Sequence, residues 1–90
     1  MANQKYEAFL KVVETGSFKE AARELGYTQA GMSYLVNSLE KELDTTLLVR
    51  DYGGVRPTAE GADLAPLVQD VCNAERRLHA RAADLRHLEG

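Results

Sequence analysis

Apolar positions in the first part of the chain recur at the spacing of two short amphipathic helices. The first helix has its apolar face at i, i+3, i+4 and i+7, in the residues Tyr6, Phe9, Leu10 and Val13. Thr15-Gly16 ends this helix, and Ser17 followed three residues later by Glu20 predicts a capping box for the next one. The inner face of the second helix contains Ala21, Ala22 and Leu25. Gly26 then favours a tight left-handed turn.

A third helix follows this turn, and residues 28–39 at its start carry no charge. Thr28 is the predicted N-cap. At about 100° per residue, the apolar side chains form one stripe, which contains Met32, Val36, Leu39 and Leu43. The opposite arc contains Ala30, Ser33, Tyr34, Asn37, Ser38 and Lys41, with Gln29 at its flank. Glu40 to Glu42 are expected to be a solvated end. The segment predicts a helix-turn-helix whose second helix, 28–43, has the polar face that a DNA major groove accepts.

Two short β-prone segments follow, around a glycine turn. Leu47-Leu48-Val49-Arg50 and Val55-Arg56 flank Asp51-Tyr52-Gly53-Gly54, which predicts a hairpin over residues 47–56. Pro57 cannot donate to a ladder and should stop the second strand. Thr58 is the predicted cap of a last helix. A hairpin in this position is typical of the wing of a winged helix-turn-helix.

The last helix carries a seven-residue apolar repeat. One seam position contains Leu64, Val71, Leu78 and Leu85, and the other contains Leu67, Ala74, Arg81 and Leu88, so that only Arg81 breaks the pattern. A domain of residues 1–58 is too small to bury this stripe alone. We therefore predict a winged helix-turn-helix over residues 1–58 and a dimerisation helix over residues 59–90. The homodimer contacts are expected at Leu64, Leu67, Val71, Ala74, Leu78 and Leu85.

The composition is that of one small folded domain. The chain has 90 residues, of which 44% are hydrophobic and 28% charged. No apolar run approaches the roughly 20 residues that span a bilayer, and the N-terminal segment lacks the pattern of a signal peptide. We therefore expect a cytoplasmic location and no membrane partner. Cys72 has no second cysteine to pair with, and we expect it to be half-buried in the dimer seam.

The residues that catalysis or metal binding would need do not occur in a suitable pattern. His79 and His87 fall on roughly one face of the last helix, but a third ligand is missing, so solvated histidines are expected and no metal site. No nucleophile–base pair is evident, and Gly53-Gly54 is explained by the turn. We expect a protein that is not an enzyme and binds no cofactor.

Three segments resemble the N-terminal DNA-binding domain of LysR-type transcriptional regulators, a family of bacterial transcription factors. They are Gly16-Ser17-Phe18-Lys19-Glu20-Ala21-Ala22, the stretch from Thr28-Gln29 through Ser33 to Leu39-Glu40, and Leu47-Leu48-Val49-Arg50 with Thr58-Ala59-Glu60-Gly61. The resemblance covers essentially the whole chain. It implies a mainly α fold: a winged helix-turn-helix with a small β-hairpin wing and a long C-terminal linker helix that dimerises. Full-length members carry a further effector-binding domain, so a small-molecule effector is expected only through that missing domain.

Some positions depart from the family pattern. The exposed arc of the third helix often carries arginine or lysine, whereas this chain has Tyr34, Asn37 and Ser38. Position 30 is often proline and is alanine here, and Pro57 stands where an aliphatic residue is usual. These departures affect the expected affinity for DNA and the bases that are recognised. The expected fold is unchanged.

The net charge of the chain, considered alone, argues against DNA binding. The chain has a net charge of −3, and DNA-binding domains are usually basic because phosphate contacts supply much of the affinity. Residues 1–58 carry seven basic and eight acidic groups, and residues 59–90 carry four and six. Neither part is basic, so charge alone does not argue for DNA binding. Affinity is expected to come largely from dimerisation, helix N-termini and a few wing arginines.

The predicted DNA-binding residues lie on the third helix and the wing: Thr28, Gln29, Ala30, Ser33, Tyr34, Asn37, Ser38, Arg50 and Arg56. Gln29 and Asn37 carry the amide that can bind adenine through N6 and N7. The wing arginines suit phosphate or a minor groove. Some structural alternatives stay open. Tyr34 could pack on the wing or the first helix, and Arg50 could pair with an acidic helix residue such as Glu40.

Taken together, these features predict a dimeric, sequence-specific transcriptional regulator that binds a pseudo-palindromic double-stranded operator. Helix 28–43 would read the major groove, and the wing 47–56 would contact flanking backbone or minor groove. The alternative is a helical protein-interaction module that dimerises without binding specific DNA. The acidic balance favours that alternative, and the polar arc and the wing arginines argue against it.

Overall fold

The computed structural model describes the backbone of residues 4–89 and the side chains of residues 4–87. Three short helices come first: α1 (Gln4–Thr15), α2 (Phe18–Leu25) and α3 (Gln29–Leu43). The antiparallel strands β1 (Leu48–Asp51) and β2 (Gly54–Pro57) follow, and α4 (Ala59–Glu89) ends the chain. The predicted mainly α winged helix-turn-helix with a long last helix is confirmed.

Local capping signals place the starts of the helices where the sequence predicted them. Ser17 accepts a hydrogen bond from the N–H of Glu20 at 3.1 Å, and Thr28 accepts one from Gly31 at 2.9 Å. Gly26 ends α2 in the left-handed region with φ 78°. The reciprocal half of the predicted capping box is wrong. The Ser17 N–H donates to Thr15 Oγ1, because the carboxylate of Glu20 turns away to pair with Arg23.

The end of α3 turns sharply into the strand that follows. Asp44 adopts a left-handed conformation with φ 52°, and its N–H donates to the last carbonyls of the helix. Glu40 lies one turn earlier, and its carboxylate accepts the N–H groups of Leu47 and Leu48 at 2.7 and 3.2 Å. The expectation that Glu40 belongs to a solvated end is therefore wrong. Its carboxylate satisfies two backbone donors at the entrance to β1, which would otherwise lack a partner.

The wing is a tight hairpin that is fastened to the body of the domain. Leu48 pairs with Pro57 and Asp51 with Gly54, so that Tyr52 and Gly53 form the turn. Strand β2 ends at Pro57, as predicted. The N–H of Val55 donates to the carbonyl oxygen of Gly16 at 3.2 Å, which ties the wing to the turn between α1 and α2.

The hydrophobic core lies between the three short helices, the start of β1 and the first part of α4. It contains Ala8, Phe9, Val12, Phe18, Ala21, Ala22, Met32, Val36, Leu39, Leu47, Leu48 and Val68. Of the predicted inner faces of α1 and α2, Phe9, Ala21 and Ala22 are buried in the core. The others are only partly buried and pack against it, namely Tyr6, Leu10, Val13 and Leu25. The predicted stripe of α3 is buried as far as Leu39, whereas Leu43 is partly exposed at the end of the helix.

Helix α4 packs on the body of the domain along its first part. Thr58 caps it, accepting the N–H of Gly61 at 2.9 Å, and Gly61 itself is buried against Leu47. Cys72 is only 1% exposed within the single chain. The expectation that it is half-buried in a dimer seam is therefore wrong, because the helix turns this side chain towards its own body. Leu64 is also half-buried there and packs against the core.

The rest of α4 extends away from the core. Among the described side chains beyond Cys72, none is buried, and Leu78 is 67% exposed. The side chain of Leu88, assigned to the repeat above, lies outside the described residues. None of the described helices is both long and apolar enough to cross a membrane.

We expect Gly61→Ala to lower the free energy of unfolding by about 1–3 kcal/mol, because overpacking a tight site forces the backbone to move. A Cβ at residue 61 would overlap the carbonyl oxygen of Leu47 and lie 3.0 Å from its carbonyl carbon. The measurement is urea unfolding followed by circular dichroism. Gly53→Ala is the matched control, since a Cβ there meets only the side chain of Asp51 at 3.5 Å. Equal stability of the two variants would contradict the close approach.

Candidate nucleic-acid interface

The face of α3 opposite the core presents uncharged polar side chains to solvent over its first three turns, and Lys41 lies exposed further along it. Thr28, Gln29, Ala30 and Asn37 are exposed, and Ser33 and Ser38 are half-buried. Tyr34 is 71% exposed, which contradicts the alternative that it packs on the wing or on α1. The structure thus brings all the predicted residues of this helix onto one accessible face.

A cleft of about 260 Å³ lies between the start of α2, the start of α3 and the wing. It brings together parts of the chain that are distant in sequence. Its lining contains Gly16, Ser17, Phe18, Lys19, Gln29, Arg50, Asp51, Gly54 and Val55. Two cations, one amide and the carboxylate of Asp51 therefore line a single concave surface at the N-terminal end of α3.

Arg50 is held in this cleft by two contacts. Its guanidinium lies over the ring of Phe18, 4.1 Å from the ring centroid, and its Nη2 donates to Ser33 Oγ at 3.2 Å. The proposed alternative, in which Arg50 pairs with Glu40, is wrong because the Glu40 carboxylate is occupied by the backbone of β1. Arg50 joins the wing to α2 and α3 without a carboxylate partner.

Arg56 has a different environment on the wing. Its guanidinium pairs with the Asp51 carboxylate at 3.0 Å, and its side chain is 70% exposed. Asp51 also accepts the N–H of Gly53 at 3.0 Å, which keeps the carboxylate beside the turn. Arg56 therefore points to solvent with a negative charge next to it.

Most cations in the first 58 residues are paired with a carboxylate of the same chain. Four of the seven basic groups form ion pairs in the structure, namely Lys5 with Glu42, Lys11 with Glu14 and Glu24, Arg23 with Glu20, and Arg56 with Asp51. Within residues 4–87, Lys19, Lys41 and Arg50 form no ion pair. Two of these three line the cleft.

The pKa values of several of the paired groups are shifted in the direction that keeps these groups charged. The hydrogen bond to Glu42 raises the pKa of Lys5, and the hydrogen bonds to Glu14 and Glu24 raise the pKa of Lys11. The Arg23 guanidinium holds the pKa of the Glu20 carboxyl below its usual value. Because each of these cations already has an anion beside it, it has less charge to offer a ligand.

Two exposed residues near this surface were not among those predicted from the sequence. Tyr52 is fully exposed at the tip of the wing, and Lys19 lies in the first turn of α2 beside the cleft. The position of Tyr52 in the predicted turn was a signal that its ring would reach solvent. Nothing in the sequence near Lys19 indicated that the wing would fold back towards it.

The histidines do not form part of a metal-binding group. Within the part of the chain that the structure describes, no three His, Cys, Asp or Glu side chains gather closely enough to hold a metal ion. His79 and His87 are both exposed on α4.

Residues 4–62 match the family model of the bacterial regulatory helix-turn-helix proteins of the lysR family. The chain is 32% identical over 84 residues to the uncharacterised regulator YvbU of Bacillus subtilis, and covers 29% of its length. It is 40% identical over 72 residues to a probable nitrogen assimilation transcriptional activator of Synechococcus elongatus, and covers 23% of that protein. These matches involve 92% and 80% of the chain.

The fold is also similar to that of a solved structure, the complex of the BenM DBD with benA site 1 DNA. The sequences are 27% identical, and the TM-score is 0.85. The similarity covers 94% of this chain and 96% of that one. The family model covers more than half of the chain, including all the residues that form the cleft. The chain belongs to the lysR family of bacterial regulatory helix-turn-helix proteins.

Proposed function

We propose that this chain binds double-stranded DNA sequence-specifically, as the DNA-binding part of a transcriptional regulator. The observation that carries the proposal is the cleft, in which the unpaired cations Lys19 and Arg50 lie beside Gln29 at the start of an exposed polar helix. The BenM structure, whose fold is similar, is a complex with DNA. The chain spans less than a third of the two relatives described above, so the proposal concerns this part alone.

Helix α3 would enter the major groove with its uncharged face towards the bases. The amides of Gln29 and Asn37 suit adenine, which offers N7 as an acceptor and N6 as a donor. Ser33 and Tyr34 add hydroxyl groups between them, and Thr28, Ala30 and Ser38 complete the surface. The long exposed side of this helix is therefore assigned to base recognition.

The cleft would hold the DNA backbone. Lys19 and Arg50 form no ion pair within residues 4–87, because the one carboxylate in the cleft lining, that of Asp51, is paired with Arg56. Phosphate contacts from such cations position a protein on the duplex. The wing would lie against the flanking backbone or minor groove, with Tyr52 at its tip and Arg56 on its second strand. Arg56 can serve there only with Asp51 alongside.

Dimerisation through α4 is the second part of the proposal. The exposed apolar side chains of this helix form one stripe that no part of the described chain covers, comprising Leu67, Val71, Leu78 and Leu85. A symmetric dimer would cover the stripe and place two α3 helices for a pseudo-palindromic site. In this arrangement residues 1–58 bind DNA and residues 59–90 join the two copies, with Ala74 in the seam and Leu64 at its edge.

The alternative is a protein-interaction module without specific DNA binding. The acidic net charge was its main support. That support is weaker in the folded chain, because the carboxylates of Glu42, Glu20 and Asp51 are paired with cations and the cleft keeps two cations free. Family membership and the DNA complex of the structural relative favour DNA as the partner. We propose no enzymatic activity.

Selection of bound duplexes from random DNA tests the function, and Gln29→Ala tests the surface. We expect the parent chain to enrich one motif, and Gln29→Ala to lower its affinity for that motif by about 1–3 kcal/mol in a mobility-shift titration, since a bidentate amide–base contact is lost. Gln69→Ala is the matched control, because Gln69 lies on α4 and hydrogen-bonds to Asn73. Enrichment of no motif would refute the function, and equal binding by the two variants would refute the role of Gln29.

The dependence of binding on salt follows from the pairing of the cations. With Lys19 and Arg50 as the phosphate-binding cations of each protomer, a dimer should give a slope of log affinity against log salt of about −4. Asp51→Asn keeps the oxygen that accepts the Gly53 N–H and releases Arg56, so it should steepen the slope by about 2. A parent slope near −10, or an unchanged slope in the variant, would contradict the charge assignment.

Substitution on the apolar stripe should separate the two copies. We expect Leu78→Glu to weaken self-association by at least about 3 kcal/mol, because one buried leucine is lost from each protomer of a symmetric dimer. The association constant can be measured by sedimentation equilibrium. Ala80→Glu adds the same charge two residues away, off the stripe, and should associate like the parent. If both variants dissociate equally, the stripe is not the interface.

A further inference from the structure

The contact between Arg50 and Ser33 joins the wing to the base-reading face of α3. Arg50 belongs to β1 and Ser33 to the second turn of α3, seventeen residues earlier. Ser33 is half-buried, and the Arg50 guanidinium approaches it from the cleft, where it also lies over the ring of Phe18. The ring is itself buried in the core. The guanidinium therefore packs on a ring that the core itself holds in place.

This arrangement constrains the hydrogen bonding of the Ser33 hydroxyl. A serine hydroxyl has one O–H donor and two lone pairs, whereas a guanidinium has donors and no acceptor. Because Nη2 of Arg50 donates to Ser33 Oγ at 3.2 Å, one lone pair of the oxygen is occupied and its hydrogen must point elsewhere. Among the residues that the structure describes, the hydroxyl of Ser33 donates to no other group, including the backbone of its own helix.

We propose that Arg50 is a positioning residue that fixes the Ser33 hydroxyl as a hydrogen-bond donor to an acceptor atom on a base edge. The inference rests on the proposed DNA-binding function. It assigns to Arg50 an influence on base preference that acts through Ser33 and is separate from its charge. The acceptors available in the major groove are purine N7, guanine O6 and thymine O4.

Lys19 provides the control that separates charge from positioning. It lines the same cleft and forms no ion pair within residues 4–87, but it forms no hydrogen bond to α3 in the described structure. Loss of Lys19 should weaken binding to all sequences by the same factor, as loss of a phosphate contact does. Arg50→Lys keeps the charge and removes the planar group that stacks on Phe18.

The experiment begins with the motif that the parent selects from random duplexes. Ser33→Ala identifies the base pair whose preference depends on the hydroxyl. We expect Arg50→Lys to lower the preference for the selected base at that same pair by roughly five-fold, which corresponds to the free energy of one hydrogen bond. When Ser33→Ala is already present, adding Arg50→Lys should cause no further loss of this preference. Lys19→Ala should leave the preference unchanged. Thermal unfolding monitored by circular dichroism confirms that each variant is folded at the assay temperature.

Modified bases at that pair test the direction of the hydrogen bond. Removing the correct acceptor, by 7-deazapurine for N7, 2-aminopurine for O6 or 5-methyl-2-pyrimidinone for O4, should weaken the parent by roughly five-fold and leave Ser33→Ala unaffected. Sensitivity only to removal of an exocyclic amino group would overturn the donor assignment. An unchanged preference in Arg50→Lys, or effects of Arg50 and Ser33 that simply add, would overturn the positioning role. A parent that selects no motif would instead refute the proposed function.

Discussion

The position of the wing relative to α3 depends on the backbone of Leu47. Its side chain is fully buried, its N–H donates to Glu40 on α3, and its carbonyl oxygen accepts the N–H of Thr58 at 2.9 Å. Gly61 on the first turn of α4 packs directly on that carbonyl. One residue therefore joins the third helix, the hairpin and the last helix. A shift there would displace Arg50, three residues later, from both Phe18 and Ser33.

The pairing of charges explains how an acidic chain can still present a surface that suits DNA. The ion pairs at the surface contribute little stability individually, because solvent screens them. The ion pairs neutralise cations on α1, on α2 and on the wing. In the described part of the chain, Lys19 and Arg50 form no ion pair, and both line one cleft. Net charge is an average over the whole surface, and a ligand responds to the local charge that faces it.

The parts of the fold that the sequence predicted are those decided by neighbours along the chain. Caps such as Ser17 and Thr28, and the left-handed Gly26, depend on residues two to four positions away. The contacts that build the candidate site depend on residues brought together from different elements. Glu40 was expected in solvent, but its carboxylate accepts the N–H of Leu47, seven residues later, at the entrance to β1. Arg50 could have paired with a carboxylate such as that of Glu40, but it lies over the ring of Phe18 and donates to the hydroxyl of Ser33. The spacing of apolar residues along the chain does not show which side chains of different elements will meet.

Helix α4 has two neighbouring faces with different roles. One packs against the body of the domain, and the other presents the exposed apolar stripe. At about 100° per residue, the buried Gly61, Val68 and Cys72 lie roughly 100° around the helix from the stripe. Leu64 lies at the boundary, where Tyr6, Leu43, Leu67 and Val71 also line a shallow apolar groove. A partner helix on the stripe would therefore also reach the body of the domain. A dimer formed in this way would fix the orientation of the two α3 helices as well as their separation, and a pseudo-palindromic site requires both.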